Sequence, residues 1–432
     1  MIKKSEKYIG VFAVLVYFIA QYISDILPMG QLLVLVPLAL LLYLIIRHRG
    51  LKIRKRLSQY LLYMYGFAIF CAASMLWAAN PSLSVSKVNS VFIAAIGMTV
   101  IYSYSYDHLK IDDILTIIMY GSYISAFVIS LRYGWHGIRS ILSDHERMTS
   151  DIINSNTLGM CTAYALVINV YYMLYGKKRI SDVLIVPAVI LIAASGSRKA
   201  FLIMLGGIFA VFLVKNFDNK NLRKLLLGVF LFGVSCILIL VLISRLNIFT
   251  NVINRLNDIN VYLQGNATRY NNSVWLRFAY ARLGWEIFIS HPILGIGIGN
   301  ASIYTMLYYG NAHYLHNNYM EILACGGIIG FLFHYWLYFY LLRIYTKNYR
   351  HHEKEYNICF ILLVFKLIMD VGAVSYYSKP TYFYLLLFVM GAQKIKAEKD
   401  IRQTDTVSHS LNDADEDRDN AYQSREHKKV YF

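Results

Sequence analysis

Two stretches of this chain carry residues whose type and spacing suit chemistry on a phosphorylated substrate. Trp275-Leu276-Arg277-Phe278-Ala279-Tyr280-Ala281-Arg282 holds two guanidinium groups, and Arg269 stands shortly before them. Guanidinium keeps its charge at any working pH, and its planar fork fits phosphate oxygens. Ala312-His313-Tyr314-Leu315-His316-Asn317-Asn318-Tyr319-Met320-Glu321 then sets two imidazoles three residues apart, beside amides and a carboxylate. An imidazole such as His316 takes up a proton near neutral pH. Glu321 lies one helical turn below His316 and Asn317, where it orients either or sits in a solvated cavity. A third cluster, Ser195-Gly196-Ser197-Arg198-Lys199, interrupts an otherwise apolar stretch.

Each of these groups also has a plainer reading. Arg198 at a hairpin tip anchors short spans at the membrane interface. Arg277 and Arg282, five apart, share part of a helix face and suit lipid headgroups. A histidine at a helix start is often a cap. Gly295, Gly297 and Gly299 lack the spacing of a dinucleotide loop, and no βαβ unit follows, so they read as a turn. Lys366 and Asp370, four apart inside an apolar run, face each other on one side of a helix. They either neutralise each other or line a transport path.

The elements that must position these groups are membrane helices. The chain of 432 residues is 57% hydrophobic and 16% charged, well below the roughly 25% charged of soluble domains. Its apolar residues gather in runs of roughly 16 to 25, the length that crosses a hydrocarbon core about 30 Å thick. Twelve spans are expected. Nine precede the long loop, at Tyr8–Ser24, Gln31–Ile46, Gln59–Ala79, Val85–Tyr104, Ile114–Leu131, Ser155–Tyr175, Ser181–Ser197, Ala200–Val214 and Leu225–Ser244. Three follow it, at Asn318–Leu342, Tyr356–Val374 and Tyr382–Gln393. As one helix, 181–214 would run about 50 Å, too long for a bilayer, so the Ser-Gly-Ser-Arg-Lys cluster marks a hairpin tip.

The formal net charge of +17 does not indicate nucleic acid, because Lys and Arg sit in short loops between apolar runs. Their densest clusters, such as Arg47–Arg56, Lys177–Arg179 and Lys215–Lys224, all fall on one side of the expected topology. The inside-positive bias makes that side cytoplasmic, with both termini there. The same topology puts the smaller loop Arg132–Asn154 and the long loop Arg245–Asn317 outside. The run after the basic start has no small-residue cleavage site before Asp25, so it reads as a first span rather than a removable signal. Cys71, Cys161, Cys236, Cys325 and Cys359 all lie in apolar runs, with no disulfide or metal pattern.

The ordered set of motifs resembles the O-antigen ligase and polymerase superfamily, which includes O-antigen ligases, Wzy-type polysaccharide polymerases and teichuronic acid polymerases. The resemblance rests on Ser-Gly-Ser-Arg at 195–198, Arg277 opening a helix, Pro-Ile-Leu-Gly-Ile-Gly at 292–297, and His-Asn-Asn-Tyr at 316–319 followed by Gly326-Gly327-Ile328-Ile329-Gly330. Asn154-Ser155-Asn156-Thr157-Leu158-Gly159 resembles the family's Asn-rich entry to a span. The resemblance implies metal-independent glycosyl transfer without a cofactor, from a polyprenyl-diphosphate-linked oligosaccharide. By position, Arg198 and Arg277, with Arg282 beside them, hold the diphosphate, and His316 is the base. His313, Asn317 and Glu321 support it, and His313 is the alternative base. Preorganised cations would meet the charge that builds on the leaving diphosphate. A positioned base would add about 10²–10⁴-fold to attack by a sugar hydroxyl.

The expected fold is therefore an all-α polytopic membrane protein. Residues 1–244 carry spans one to nine, 245–317 an external catalytic loop, 318–393 spans ten to twelve, and 394–432 a disordered cytoplasmic tail. The expected activity is polymerisation of lipid-linked repeats for a capsular polysaccharide, exopolysaccharide or O-antigen in the bacterial cell envelope. A ligase of the same family is the nearest alternative, and a flippase or exporter of lipid-linked oligosaccharide the one from another class. A flippase would spread charge along many spans and lack the long loop. The expected partners are the lipid-linked oligosaccharide, membrane lipids, a chain-length regulator and a flippase, with no nucleic acid.

Overall fold

A computed structural model describes residues 4–48, 58–143, 155–216, 228, 233, 250–266, 268, 273–348 and 354–396. All regular structure among them is helical. The helices are α1 (Lys4–Ile23), α2 (Leu32–His48), α3 (Ser58–Ala73), α4 (Pro81–His108), α5 (Ile111–Ser143), α6 (Ser155–Leu174), α7 (Ile185–Ala194) and α8 (Arg198–Asn216). After them come α9 (Thr250–Leu263), α10 (Ser273–Ser290), α11 (Ala301–Tyr309), α12 (Asn318–Lys347), α13 (Lys354–Asp370) and a last helix, α14, at 379–396.

Seven of the described helices are long and apolar enough to cross a membrane: α1, α3, α4, α5, α6, α8 and α12. This is fewer than the twelve expected spans, for physical reasons. At 1.5 Å per residue, α2 with 17 residues reaches only about 25 Å, short of the ~30 Å core. The expected seventh span is a 3₁₀ turn, Ile180–Leu184, leading into the ten-residue α7. The eleventh and twelfth correspond to α13 and α14. The ninth, Leu225–Ser244, lies outside the described residues apart from Gly228 and Gly233. So do Arg269, Cys236, most of Arg47–Arg56, the end of the loop Arg132–Asn154, and the tail beyond 396. The four described cysteines, Cys71, Cys161, Cys325 and Cys359, are buried and unpaired.

The described part of the long stretch between α8 and α12 holds three helices, α9, α10 and α11, together with turns. Helix α6 packs on α5, α7 and α8, while α12 packs on α3, α10 and α13. Ion pairs draw several basic segments to one end of the bundle. Lys7 pairs with Asp113 at 3.3 Å, Arg47 with Glu6 at 3.2 Å, and Lys177 and Arg179 with Asp112 at 2.9 and 3.4 Å.

Helix α12 is broken at Gly327, whose φ of 60° and ψ of −164° leave the helical region. A break inside a span frees backbone groups that lipid cannot satisfy. The turn after α10 supplies their partners. Ile296 and Gly297 donate N–H bonds to the carbonyls of Ala324 and Cys325, at 3.0 and 2.9 Å. In return, Ile328 and Ile329 donate to the carbonyls of Pro292 and Ile293, at 2.8 and 3.3 Å. The Pro-Ile-Leu-Gly-Ile-Gly segment thus clasps the broken helix. The junction of α3 and α4 holds the clasp from behind. Ile298 N–H donates to Ser74 Oγ at 3.1 Å, and Ser84 Oγ and Trp77 Nε1 donate to the carbonyls of Ile298 and Leu294, at 2.6 and 3.2 Å.

Candidate functional site

Ahead of the broken helix, residues 310–317 form a tight approach to α12. Asn317 caps the helix, its side-chain oxygen accepting from Met320 N–H at 3.1 Å. Thr305 fixes His313 from both sides. Its hydroxyl donates to the His313 carbonyl at 2.8 Å and accepts from His313 N–H at 2.9 Å. Buried Glu321 accepts from Leu315 N–H at 2.7 Å, pinning the residue before His316. His316 itself has φ 57°, a left-handed conformation few non-glycine residues adopt. Backbone strain of this kind gathers where a side chain must be aimed.

The ring of His316 stacks nearly parallel to Tyr280 at 6.0 Å and to His313 at 5.3 Å, with Tyr314 tilted against it at 4.4 Å. No described residue forms a hydrogen bond to its ring. Burial pushes its pKa down to about 3, and the nearby charges of Arg277, His313 and Lys199 push the same way. The near-neutral titration expected of this imidazole is therefore not what the site produces. His316 is uncharged at pH 7 and keeps a nitrogen lone pair.

His316 borders a cavity of about 170 Å³. Arg277 on α10 and Lys199 on α8 line it with Tyr314 and His316. Tyr22 of α1 and Asn156, Thr157, Met160, Cys161 and Tyr164 of α6 form a second wall. Lys366 and Asp370 of α13, Ser375 and Ser378 of the following turn, and Thr381 and Tyr384 of α14 form a third. The cavity thus joins elements far apart in sequence. The Ser-Gly-Ser turn is what brings α8 in. Ser195 and Ser197 are buried, and Ser195 Oγ bonds the Ile192 carbonyl at 2.6 Å. Gly159 of α6 makes the approach feasible, since a Cβ there would stand 2.4 Å from Ser195 Oγ.

The cations expected at the site separate. Arg277 is half-buried at the cavity. Arg198 is not among the lining residues, and its guanidinium donates to Ser273 Oγ at 3.2 Å, at the start of α10. Its neighbour Lys199 reaches the cavity instead and donates to the Gly372 carbonyl. Arg282 is exposed on the far face of α10, paired with Glu286 at 3.0 Å. His313 stacks on His316 without lining the cavity.

Two contributors, Lys199 and Asn318, lie within the motifs but carry no role of their own in the sequence reading. Lys199 differs from Arg198 only in the phase at which α8 begins. Asn318 is wholly buried and ties α12 to the turn after α13. Its carbonyl accepts from the N–H groups of Ser375 and Tyr376, at 2.8 and 3.1 Å, and its amide donates to Tyr335 OH at 2.8 Å. An Asn doublet at a helix start was its only signal.

Residues 183–335 match the family model described as O-antigen ligase. The match places this segment in the O-antigen ligase/polymerase superfamily. It contains Arg198, Lys199, Arg277 and His316, and so bears out the resemblance carried by the motifs. The cavity walls from α6, α13 and α14 lie outside the matched segment. No curated protein matches the chain. The apolar helices and the matched segment together point to a membrane protein of the O-antigen ligase/polymerase type.

Proposed function

We propose that the protein polymerises lipid-linked oligosaccharide repeats at the outer face of the bacterial cytoplasmic membrane. The growing glycan leaves its polyprenyl-diphosphate carrier and joins a sugar hydroxyl of a fresh lipid-linked repeat. One observation carries this reading: Arg277, Lys199 and the uncharged His316 border one small cavity.

The anomeric carbon–oxygen bond to the diphosphate breaks, and its electron pair leaves with the diphosphate. Arg277 and Lys199 would meet that charge, Arg277 with a fork and Lys199 as a point charge. The acceptor oxygen bonds to the anomeric carbon, and its proton passes to His316. A base must be unprotonated to do this, as His316 is. The cations that depress its basicity are the ones a bound diphosphate would offset, so donor binding raises the ring's proton affinity when it is needed. Two fixed cations supply the electrophilic assistance, so the reaction is proposed to run without a metal or cofactor. Arg198 is assigned a supporting part, holding α8 against α10, and Arg282 none in binding diphosphate.

The topology proposed with this activity keeps both termini and the ion-paired end of the bundle in the cytoplasm. A chain-length regulator and a flippase acting on the same lipid-linked repeat would be its partners. Deleting the gene and sizing the lipid-linked glycans tests the activity. Single lipid-linked repeats should accumulate. Accumulation of long lipid-linked polymer would mean a ligase of the same family instead. Unchanged glycans would remove both. Cysteine labelling at Lys178 and Gln264 tests the topology, which fails if both label from the same side.

A further inference from the structure

The wall of the cavity formed by α13 and the turn after it has a chemistry unlike that of Arg277 and Lys199. Lys366 Nζ donates to Asp370 Oδ1 at 2.5 Å and to Ser375 Oγ at 2.9 Å. Ser375 Oγ donates to the same carboxylate oxygen at 2.6 Å, and Tyr335 OH donates to Asp370 Oδ2 at 3.1 Å. Lys366 is 7% exposed and Asp370 1%. Replacing a buried ion pair with apolar side chains is often neutral or stabilising, so stability alone is a weak reason to retain one. Buried ionisable groups on the helices of a membrane protein mark functional surfaces. This pair also lines the same cavity as His316.

What the cluster leaves unused indicates its ligand. An ammonium has three donors, and Lys366 spends two of them on Asp370 and Ser375. A carboxylate accepts about four hydrogen bonds, and Asp370 receives three. Ser375 Oγ gives its proton and accepts once, keeping one lone pair. One donor and two acceptors therefore remain, on a cluster with no net charge. A diphosphate only accepts and is anionic, so it matches Arg277 and Lys199 better. Sugar hydroxyls donate and accept and are neutral, so they match this cluster. Tyr164 and Tyr384 line the same cavity and add aromatic surface to it. At about 170 Å³ the cavity is smaller than the roughly 300–1,000 Å³ of most ligand pockets, room for the reacting ring rather than an oligosaccharide.

We propose that Lys366, Asp370 and Ser375 form a sugar-hydroxyl subsite that seats the acceptor ring with its attacking oxygen toward His316. The subsite rests on the glycosyl-transfer reading above, and extends it by separating carbohydrate recognition from diphosphate recognition within one cavity.

The test uses full-length protein in proteoliposomes and two probes. One is sugar-free polyprenyl diphosphate, scored as an inhibitor. The other is the lipid-linked oligosaccharide that accumulates in a strain lacking the protein, scored by its KM. Ser375→Ala should raise that KM about tenfold, the loss of one to two hydrogen bonds, and leave inhibition by polyprenyl diphosphate within about twofold. Ser375→Thr, which restores the hydroxyl, should recover most of the KM. Arg277→Ala should instead lose inhibition by the sugar-free lipid, because that probe offers only the diphosphate that Arg277 would hold. Asp370→Asn leaves a buried cation without its counterion and is expected to fold poorly, so the Ser375 pair decides. An unchanged KM in Ser375→Ala overturns the subsite, as does an equal loss for both probes. If wild-type protein neither consumes the oligosaccharide nor responds to polyprenyl diphosphate, the transfer reading falls and takes the subsite with it.

Discussion

Replacing Gly327 with alanine isolates the clasp that repairs α12. At φ 60° and ψ −164° Gly327 occupies a region open essentially to glycine alone, and another residue held there costs about 1–3 kcal/mol. Space adds a second penalty. A Cβ would lie 2.3 Å from the Ile293 carbonyl oxygen and 2.4 Å from its carbon, both backbone atoms. Relief requires residues 292–293 to retreat, giving up the bonds from Ile328 and Ile329 N–H. Each lost bond costs about 1 kcal/mol, and up to about 3 if the group is left buried and unpaired. The total is about 3–9 kcal/mol, a large share of the roughly 5–15 kcal/mol that holds a typical domain folded. Gly310→Ala is the control. That glycine also has positive φ, 70°, but nothing lies within 4 Å of its would-be Cβ, so the expected cost is only about 1 kcal/mol. Thermal unfolding of detergent-solubilised protein should therefore separate the two variants widely, and transfer should fail with Gly327→Ala. Equal shifts in both would refute the clasp as a stabilising contact, and an unchanged Gly327→Ala would refute the break itself.

Arg277→Lys keeps the charge but loses the fork, so kcat/KM should fall about 10–100-fold, and Arg277→Ala should fall further; activity preserved in the lysine variant would mean that charge alone suffices. Glu321→Ala removes the acceptor of the buried Leu315 N–H and should lower kcat more than it raises KM, while Glu321→Gln keeps an acceptor and should stay near wild type; equal damage from both would move the role of Glu321 elsewhere. The pKa of His316 near 3 makes it uncharged across pH 5–8, so kcat/KM should show no inflection from this residue in that range. Removing a neighbouring cation raises that pKa, so Arg277→Gln should move the acid-side loss of activity to higher pH. Loss at the same pH in both proteins would show that Arg277 does not act on His316. Finally, transfer should survive chelation, and loss in chelator restored by one divalent ion would contradict the proposed mechanism.

Much of the helical framework was legible because lipid imposes a simple rule. Apolar runs became helices, with α1, α4 and α6 close to their expected limits. Helix count was less legible, since a run such as Leu32–His48 is apolar enough for a span but short, and its partners decide how it sits. The turn at 292–297 was readable as a turn from its glycines. Its bonding to Ala324, Cys325, Ile328 and Ile329 was not, because such partners are chosen by tertiary approach and leave no local pattern. The same holds for the choice between Arg198 and Lys199. Both are cations at a hairpin tip, and only the packing of α8 against α6 and α10 turns one toward the cavity and the other toward Ser273. The Lys366–Asp370 pair announced itself through four-residue spacing, yet Ser375 and Asn318, which connect it to the rest of the site, carried no comparable mark.

The arrangement links an unusual backbone to an unusual side-chain environment. A straight, unbroken α12 would need no clasp, and the segment before it would have no reason to fold back against α3 and α4. With the break at Gly327, residues 291–300 are bound into the bundle, and α10 and α11 are held beside the start of α12. That places Tyr280 of α10 against the His316 ring and Thr305 of α11 against the His313 backbone. The strained φ of His316 is then supported on both sides, by Thr305 and Glu321 on the His313 and Leu315 backbone before it and by the Asn317 cap after it. The ring is held among aromatic neighbours and cations that keep it uncharged, while the ion pair on α13 contributes no net charge of its own. A base near fixed cations and a neutral polar wall is an environment whose proton affinity depends on what fills the cavity. In the proposed mechanism, an anionic substrate would strengthen the base and its departure would weaken it again, coupling proton transfer to donor occupancy without any moving part.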